Sequence, residues 1–193
     1  MRKHVAISGT GRAGTTFLVQ LLTELGFDTG FSADAVSSLP RASFGGLERD
    51  IRNPSAPYIV KSPWLCDYID EVVGSSEIFL EHLIIPIRSL KDAADSRRRV
   101  SALGEAAGGM WHTESADDGI QEGILAHQLY KLLLSAASTH VPVTLMRFPL
   151  LALNKEYLYE KLLFLIEPAG ISPDDFGAAF ALISKPERIN FFR

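Results

Sequence analysis

Apolar residues along this chain fall into short β-branched runs separated by longer stretches with helical spacing. Val5-Ala6-Ile7-Ser8 is such a run and meets a glycine-rich turn, which predicts a buried strand entering a loop. In Thr15 to Gly26 the residues Phe17, Leu18, Leu21, Leu22 and Leu25 recur at steps of three and four, predicting a helix that Gly26 stops. Phe27 to Pro57 is rich in Gly, Ser, Pro and Asp without a period, so it reads as mainly loop with room for one short helix. Connections of that length are commonly functional. Tyr58 to Lys61 predicts a second strand, Leu65 to Val73 a short helix, and His82 to Ile87 a third strand that ends at Arg88. Pro86 predicts an irregular or restricted pairing within it. Ser89-Leu90-Lys91-Asp92 has the form of a capped helix start, with the helix running to about Ala102. After a polar loop from Gly104 to Gly119, Ile120, Ile124, Leu125, Leu129, Leu132, Leu133 and Ala136 mark an amphipathic helix. Val141 to Met146 predicts a fourth strand and Tyr157 to Ile166 another helix.

Strands and helices in alternation predict a three-layer α/β fold with a largely parallel central sheet flanked by helices. A chain of 193 residues, 47% hydrophobic, is enough for one core and short for two, so residues 1–193 are expected to form a single domain. The formal charge of -4 gives no global field for nucleic acid, and any anion site must be local. The lone cysteine, Cys66, excludes an intramolecular disulfide and a multi-cysteine zinc site, and fits a reducing, cytoplasmic setting. The run at the amino terminus stops at Gly9, too early for a signal-peptide core, and nothing approaches the roughly 18 apolar residues of a membrane span. No metal is expected, because His4, His82, His127 and His140 show no ligand spacing.

Gly9-Thr10-Gly11-Arg12-Ala13-Gly14-Thr15-Thr16 has the glycine spacing of a P-loop, but Thr15 stands where a nucleotide triphosphatase carries lysine. Converging backbone N–H groups and the helix end behind them hold an anion without that lysine, although the group that reaches the β and γ phosphates is missing. The plain alternative is a glycine turn with no ligand.

Arg12-Ala13-Gly14-Thr15-Thr16-Phe17-Leu18 resembles the Arg-Ser-Gly-Thr-Thr loop of sulfotransferases that use 3′-phosphoadenosine-5′-phosphosulfate, in the tyrosylprotein and bacterial version. The resemblance implies that Gly11, Arg12, Ala13, Gly14, Thr15 and Thr16 grip the donor's 5′-phosphate, with Ala13 lacking the usual hydroxyl. It also implies a second anion site for the 3′-phosphate, made by a strand-end arginine and a serine eight positions later, which Arg88 and Ser96 reproduce. Arg97, Arg98 and Arg99 add local positive charge. Tyr58-Ile59-Val60-Lys61-Ser62-Pro63-Trp64 is similar to the family's strand-end Lys-Ser-Pro segment, whose lysine neutralises the leaving oxygen. Val143 to Leu151 resembles the family's later strand and Arg-Tyr-Glu-Asp-Leu turn, without its acids. The glycine-rich basic carboxyl-terminal segment of cytosolic members is missing, and Arg188 and Arg193 are candidate substitutes.

Arg12, Lys61 and Asp34 are the expected catalytic residues: cations that favour charge developing on the bridging oxygen, and a base that takes the acceptor proton. Tyrosylprotein enzymes use an acid about twenty residues beyond the loop arginine, near which Asp34 stands, while His112 and Glu114 beside Trp111 are alternatives. The expected acceptor is a hydroxyl, or an amine, of a small molecule or carbohydrate. A P-loop kinase and an inactive nucleotide-binding module stay open as other readings. Thr15 and Arg88 speak against the kinase, which would present an acidic magnesium ligand where Arg88 ends its strand.

Overall fold

The computed structural model describes residues 1–37, 46–102 and 118–185. Four strands, β1 (Arg2–Ile7), β2 (Ile59–Lys61), β3 (Ile78–Ile87) and β4 (Val143–Arg147), form an all-parallel sheet in the order β2-β1-β3-β4. Eight helices are described around it: α1 (Thr15–Glu24), α2 (Ala33–Ser37), α3 (Leu65–Val73), α4 (Leu90–Ala102), α5 (Asp118–Thr139), α6 (Leu150–Leu153), α7 (Lys155–Ile166) and α8 (Pro173–Ile183). Alternate strand residues face opposite layers, as the pleat requires. Val5, Ile7, Ile59, Ile84 and Met146 pack with α1, α7 and α8 on one face. Ala6, Val60, Leu83 and Ile85 pack with α3 and α5 on the other. The sheet is thus covered on both faces, the arrangement expected of parallel strands joined by helices.

Several elements differ from the sequence reading in extent. Strand β1 begins at Arg2 and β3 at Ile78, because their amino ends pair with each other across a register shift between His4 and Val5. The ends are also tied by Lys3 Nζ on Glu81 Oε1 at 2.7 Å. Helix α1 ends at Glu24, and Gly26, at φ 84°, serves as the left-handed residue of a Schellman cap: Phe27 N donates to Leu22 O and Gly26 N to Thr23 O. Helix α5 begins at Asp118, ahead of the apolar period that starts at Ile120, and so takes in Gly119 of the expected loop. Helices α6 and α8 were not expected at all.

The restricted pairing expected at Pro86 takes a specific form: β3 is an interior strand, and Pro86 is in register with Met146 of β4 but lies beyond the last β1 pair, Ile7 with Ile84. Ile84 O accepts from Ser8 N on the β1 side, so Pro86, two residues on, faces that side too. There β1 has already given way to the glycine loop, and the missing N–H removes no ladder bond.

Parallel connectivity sends β1 through α1 to one neighbour, β2, and returns through α3 to the other, β3. The carboxyl ends of β1 and β3 therefore flank a topological switch point, where open α/β sheets place ligands. The glycine loop lies there.

Candidate anion-binding site

The loop leaves β1 through Gly9 at φ 143° and runs through Gly11, Arg12 and Gly14 at φ 68°, 55° and 90°. Left-handed conformations at closely spaced residues turn backbone N–H groups toward one side. Gly14 is the N-cap of α1 and offers no side-chain cap, so amides of the first turn stay open to an incoming anion. Space also fixes glycine at this position: an added Cβ would lie 2.9 Å from Phe148 Cδ2 and 3.1 Å from Leu151 Cδ1. Ala13 is fully buried, which places its methyl in the core.

A loop whose amides converge on one side turns carbonyls to the other, and buried carbonyls need donors. Two arginines supply them. Arg97 Nη2 donates to Thr10 O at 2.7 Å and lies 3.4 Å from Gln128 Oε1 of α5. Arg88 Nη1 donates to Arg12 O at 3.1 Å, and its guanidinium lies 5.1 Å from the centre of the Phe148 ring. Arg12 Nε in turn donates to Ser96 Oγ at 3.1 Å. The structure thus brings Arg12, Arg88 and Ser96 together, although they come from the loop, the end of β3 and the middle of α4. Burial, and then the neighbouring Arg88, hold the Arg12 guanidinium below its ordinary value. Loss of hydration there favours an anion.

The run Arg97-Arg98-Arg99 is not a uniform charged face. Arg97 is 1% exposed, and burial pushes it down to about 10, making it an internal support of the loop. Arg98 pairs with Asp95 and Glu122. The side chain of Arg99 lies outside the described residues.

On the other side, Lys61 ends β2 and is only 4% exposed. Its ammonium donates to Thr16 Oγ1 at 2.9 Å, Gly46 O at 2.6 Å and Glu48 Oε1 at 2.9 Å. Burial pushes the Lys61 pKa down, Glu48 pulls it up, and Arg12 pushes it down again. Sequence reasoning missed Glu48. It lies in an irregular segment with no periodicity, brought to the end of β2 by one backbone bond from Arg49 N to Lys61 O. Ser62 of the Lys-Ser-Pro segment is fixed through its carbonyl to Ser8 Oγ at 2.8 Å, which ties the ends of β1 and β2 together.

Asp34 is exposed in the first turn of α2, a helix held to α1 by Gln20 Nε2 donating to Val36 O at 2.9 Å. The carboxylate on Lys61 is Glu48, not Asp34. Trp111, His112, Glu114, Arg188 and Arg193 lie outside the described residues. His4 donates from Nδ1 to Pro57 O at 2.7 Å, and His82 bonds Thr144 Oγ1 through Nε2 at 2.7 Å while stacking on Phe164. Both serve the fold. Among the described residues no cluster of His, Cys, Asp and Glu is placed to hold a metal, and no helix is long and apolar enough to cross a membrane.

No protein-family model matches this chain, and neither the curated proteins nor the solved structures contain a significant match.

Proposed function

We propose that this protein binds 3′-phosphoadenosine-5′-phosphosulfate and transfers its sulfuryl group to a hydroxyl, or an amine, of a small molecule or carbohydrate. The observation that carries the reading is the meeting of Arg12, Arg88 and Ser96 beside a phosphate loop with threonine in place of lysine. A donor with phosphate on both sides of its ribose fits a loop end and a strand-end arginine that share one polar wall. The residues present also fit its charge. Two cations adjoin the turn at Gly14, the half-buried Arg12 and the buried Lys61.

The bound donor supplies a sulfuryl group: the acceptor oxygen bonds to sulfur as the bond from sulfur to the 5′-phosphate oxygen breaks, and adenosine 3′,5′-bisphosphate leaves with that electron pair. In this reading the amides of Gly11 to Thr16 hold the 5′-phosphate, while Arg88 and Ser96 hold the 3′-phosphate. Arg12 and Lys61 stabilise charge gathering on the bridging oxygen more than they stabilise the ground state. Asp34 takes the acceptor proton from the exposed turn of α2. No metal enters this scheme, and the setting is cytoplasmic.

A labelled-donor assay against pooled metabolites, read by mass shift, tests the reaction. Asp34→Asn is expected to lower transfer roughly 100-fold or more with donor affinity retained. Normal transfer by that variant would remove Asp34 as base. One observation favours a second reading, a nucleotide-binding module without turnover: Lys61 gives all its donors to Thr16, Gly46 and Glu48. That reading expects donor binding with no labelled product from any pool.

A further inference from the structure

Lys61 Nζ and Thr16 Oγ1 form a polar corner where β2 ends beside the first turn of α1, and a carboxylate of the protein fills it. Glu48 Oε1 lies 2.9 Å from Lys61 Nζ, and its Oε2 accepts from Gly46 N at 2.7 Å. Gly46 O also accepts from Lys61. Residues Gly46 to Glu48 therefore make a strap with both contacts on one buried ammonium. The strap is sharply turned: Gly46 has φ 111°, and Leu47 takes φ 62° with its side chain buried, a conformation that non-glycine residues hold only when contacts enforce it.

A buried ammonium requires an anion, because desolvation otherwise drives off its proton. The same corner adjoins the helix end and loop amides, which favour anions as well. Glu48 supplies that charge. A ligand oxyanion that extends past the loop toward Lys61 competes for the same donors, and two anions cannot share one ammonium so close together without repulsion.

We propose that Glu48 is a resident anion at the end of this same loop, on Lys61 Nζ beside Thr16 Oγ1, and that it exchanges for a tetrahedral oxyanion of the ligand, whether sulfate or a second phosphate. When the ligand binds, Lys61 trades the Glu48 carboxylate for the ligand's oxygen, and the strap loses its ion pair and opens. Glu48 thereby sets selectivity: ligands that end at the first phosphate leave the strap shut, and those with a further oxyanion must displace it. This inference rests on the reading of the loop as an anion site, and not on the identity of the sulfuryl donor.

The test uses the full chain and inorganic pyrophosphate, titrated by calorimetry without magnesium, with orthophosphate as the short probe. Glu48→Gln keeps the shape and removes the charge. It is expected to tighten pyrophosphate roughly ten-fold while leaving orthophosphate unchanged, a gain that misfolding does not produce. Lys61→Met in the Glu48→Gln background should cancel the gain. In the wild type, hydrogen exchange at the Gly46 amide, held by Glu48, should speed up when pyrophosphate binds. Unchanged or weaker pyrophosphate binding by Glu48→Gln, an equal gain for orthophosphate, slower Gly46 exchange, or no pyrophosphate binding by any form would overturn the proposal. A gain in pyrophosphate affinity with adenosine 3′,5′-bisphosphate bound no better than AMP would retire the sulfuryl donor and leave the exchange standing. The opposite pair of results would retire the exchange alone.

Discussion

The two flanks of the glycine loop are built on different principles. On the β3 side, Arg97 and Arg88 send donors to the loop's own carbonyls, Thr10 O and Arg12 O, so cationic side chains fix its shape. On the β2 side, Lys61 reaches the side chain of Thr16 and shares its charge with Glu48, so the question there is neutralisation. One flank is therefore expected to govern whether the cradle exists and which nucleotide it accepts. The other is expected to govern how charge is handled once a ligand is bound.

Lys61→Ala breaks the charge-handling flank and should have the largest effect. If Lys61 acts on the leaving oxygen as proposed, turnover is expected to fall about 100- to 1000-fold while donor affinity changes less than about ten-fold, because such a contact strengthens as charge develops. Steady-state kinetics with calorimetric donor affinities separate the two, and equal losses would make Lys61 a positioning residue. Arg97→Met breaks the shape-fixing flank. It leaves Thr10 O inside without its charged donor, and urea denaturation should show a loss of about 2 to 3 kcal/mol, with anion binding weakened in parallel. Full stability in that variant would remove Arg97 as support of the loop.

The smallest effect sharpens the contrast by touching neither flank. Burial holds His4 and His82 below the ordinary value of 6.5. A histidine kept neutral by the fold is protonated first in the unfolded chain, so its contribution is full above 6.5 and declines as pH falls from there toward the lowered folded value. Each contributes at most about 1.4 kcal/mol per pH unit in that window. Denaturation midpoints should fall between pH 7 and 5, and His4→Gln should flatten the slope without changing anion selectivity. A slope that survives His4→Gln and His82→Gln together would place the titration elsewhere.

Most of what positions the loop was legible along the chain. The β-branched runs at Val5 to Ile7 and Ile59 to Lys61 mark strands that must be buried on both faces, and the step of three and four in α1 marks a helix against them. Ser89 as a helix start was equally readable, and its Oγ accepts from Asp92 N at 3.4 Å. Helix α8 carries a comparable signal in its cap rather than in its apolar period: Ser172 accepts from Asp175 N, with Pro173 in the first turn. What stayed hidden depends on tertiary placement. Arg97 looks like one of three surface arginines until α5 closes over α4 and buries it. Glu48 belongs to no periodic element, and only the fold sets it against a lysine thirteen positions on. Phe148, which fills the space a Cβ at Gly14 would take and lies under Arg88, is likewise visible only once β4 joins β3.

In the proposed function the loop and the β3 side together bind a nucleotide carrying both a 5′- and a 3′-phosphate. Calorimetric titration of the wild type and Arg88→Ala with adenosine 3′,5′-bisphosphate and with AMP, without magnesium, tests it with four affinities. The wild type is expected to prefer the bisphosphate by roughly ten- to a hundred-fold, the contribution of a charge-assisted contact. Arg88→Ala should lose most of that preference, with AMP affinity lowered only a few-fold by the missing donor to Arg12 O. Equal wild-type affinity for AMP and the bisphosphate would contradict the claim, whatever the shape of the loop.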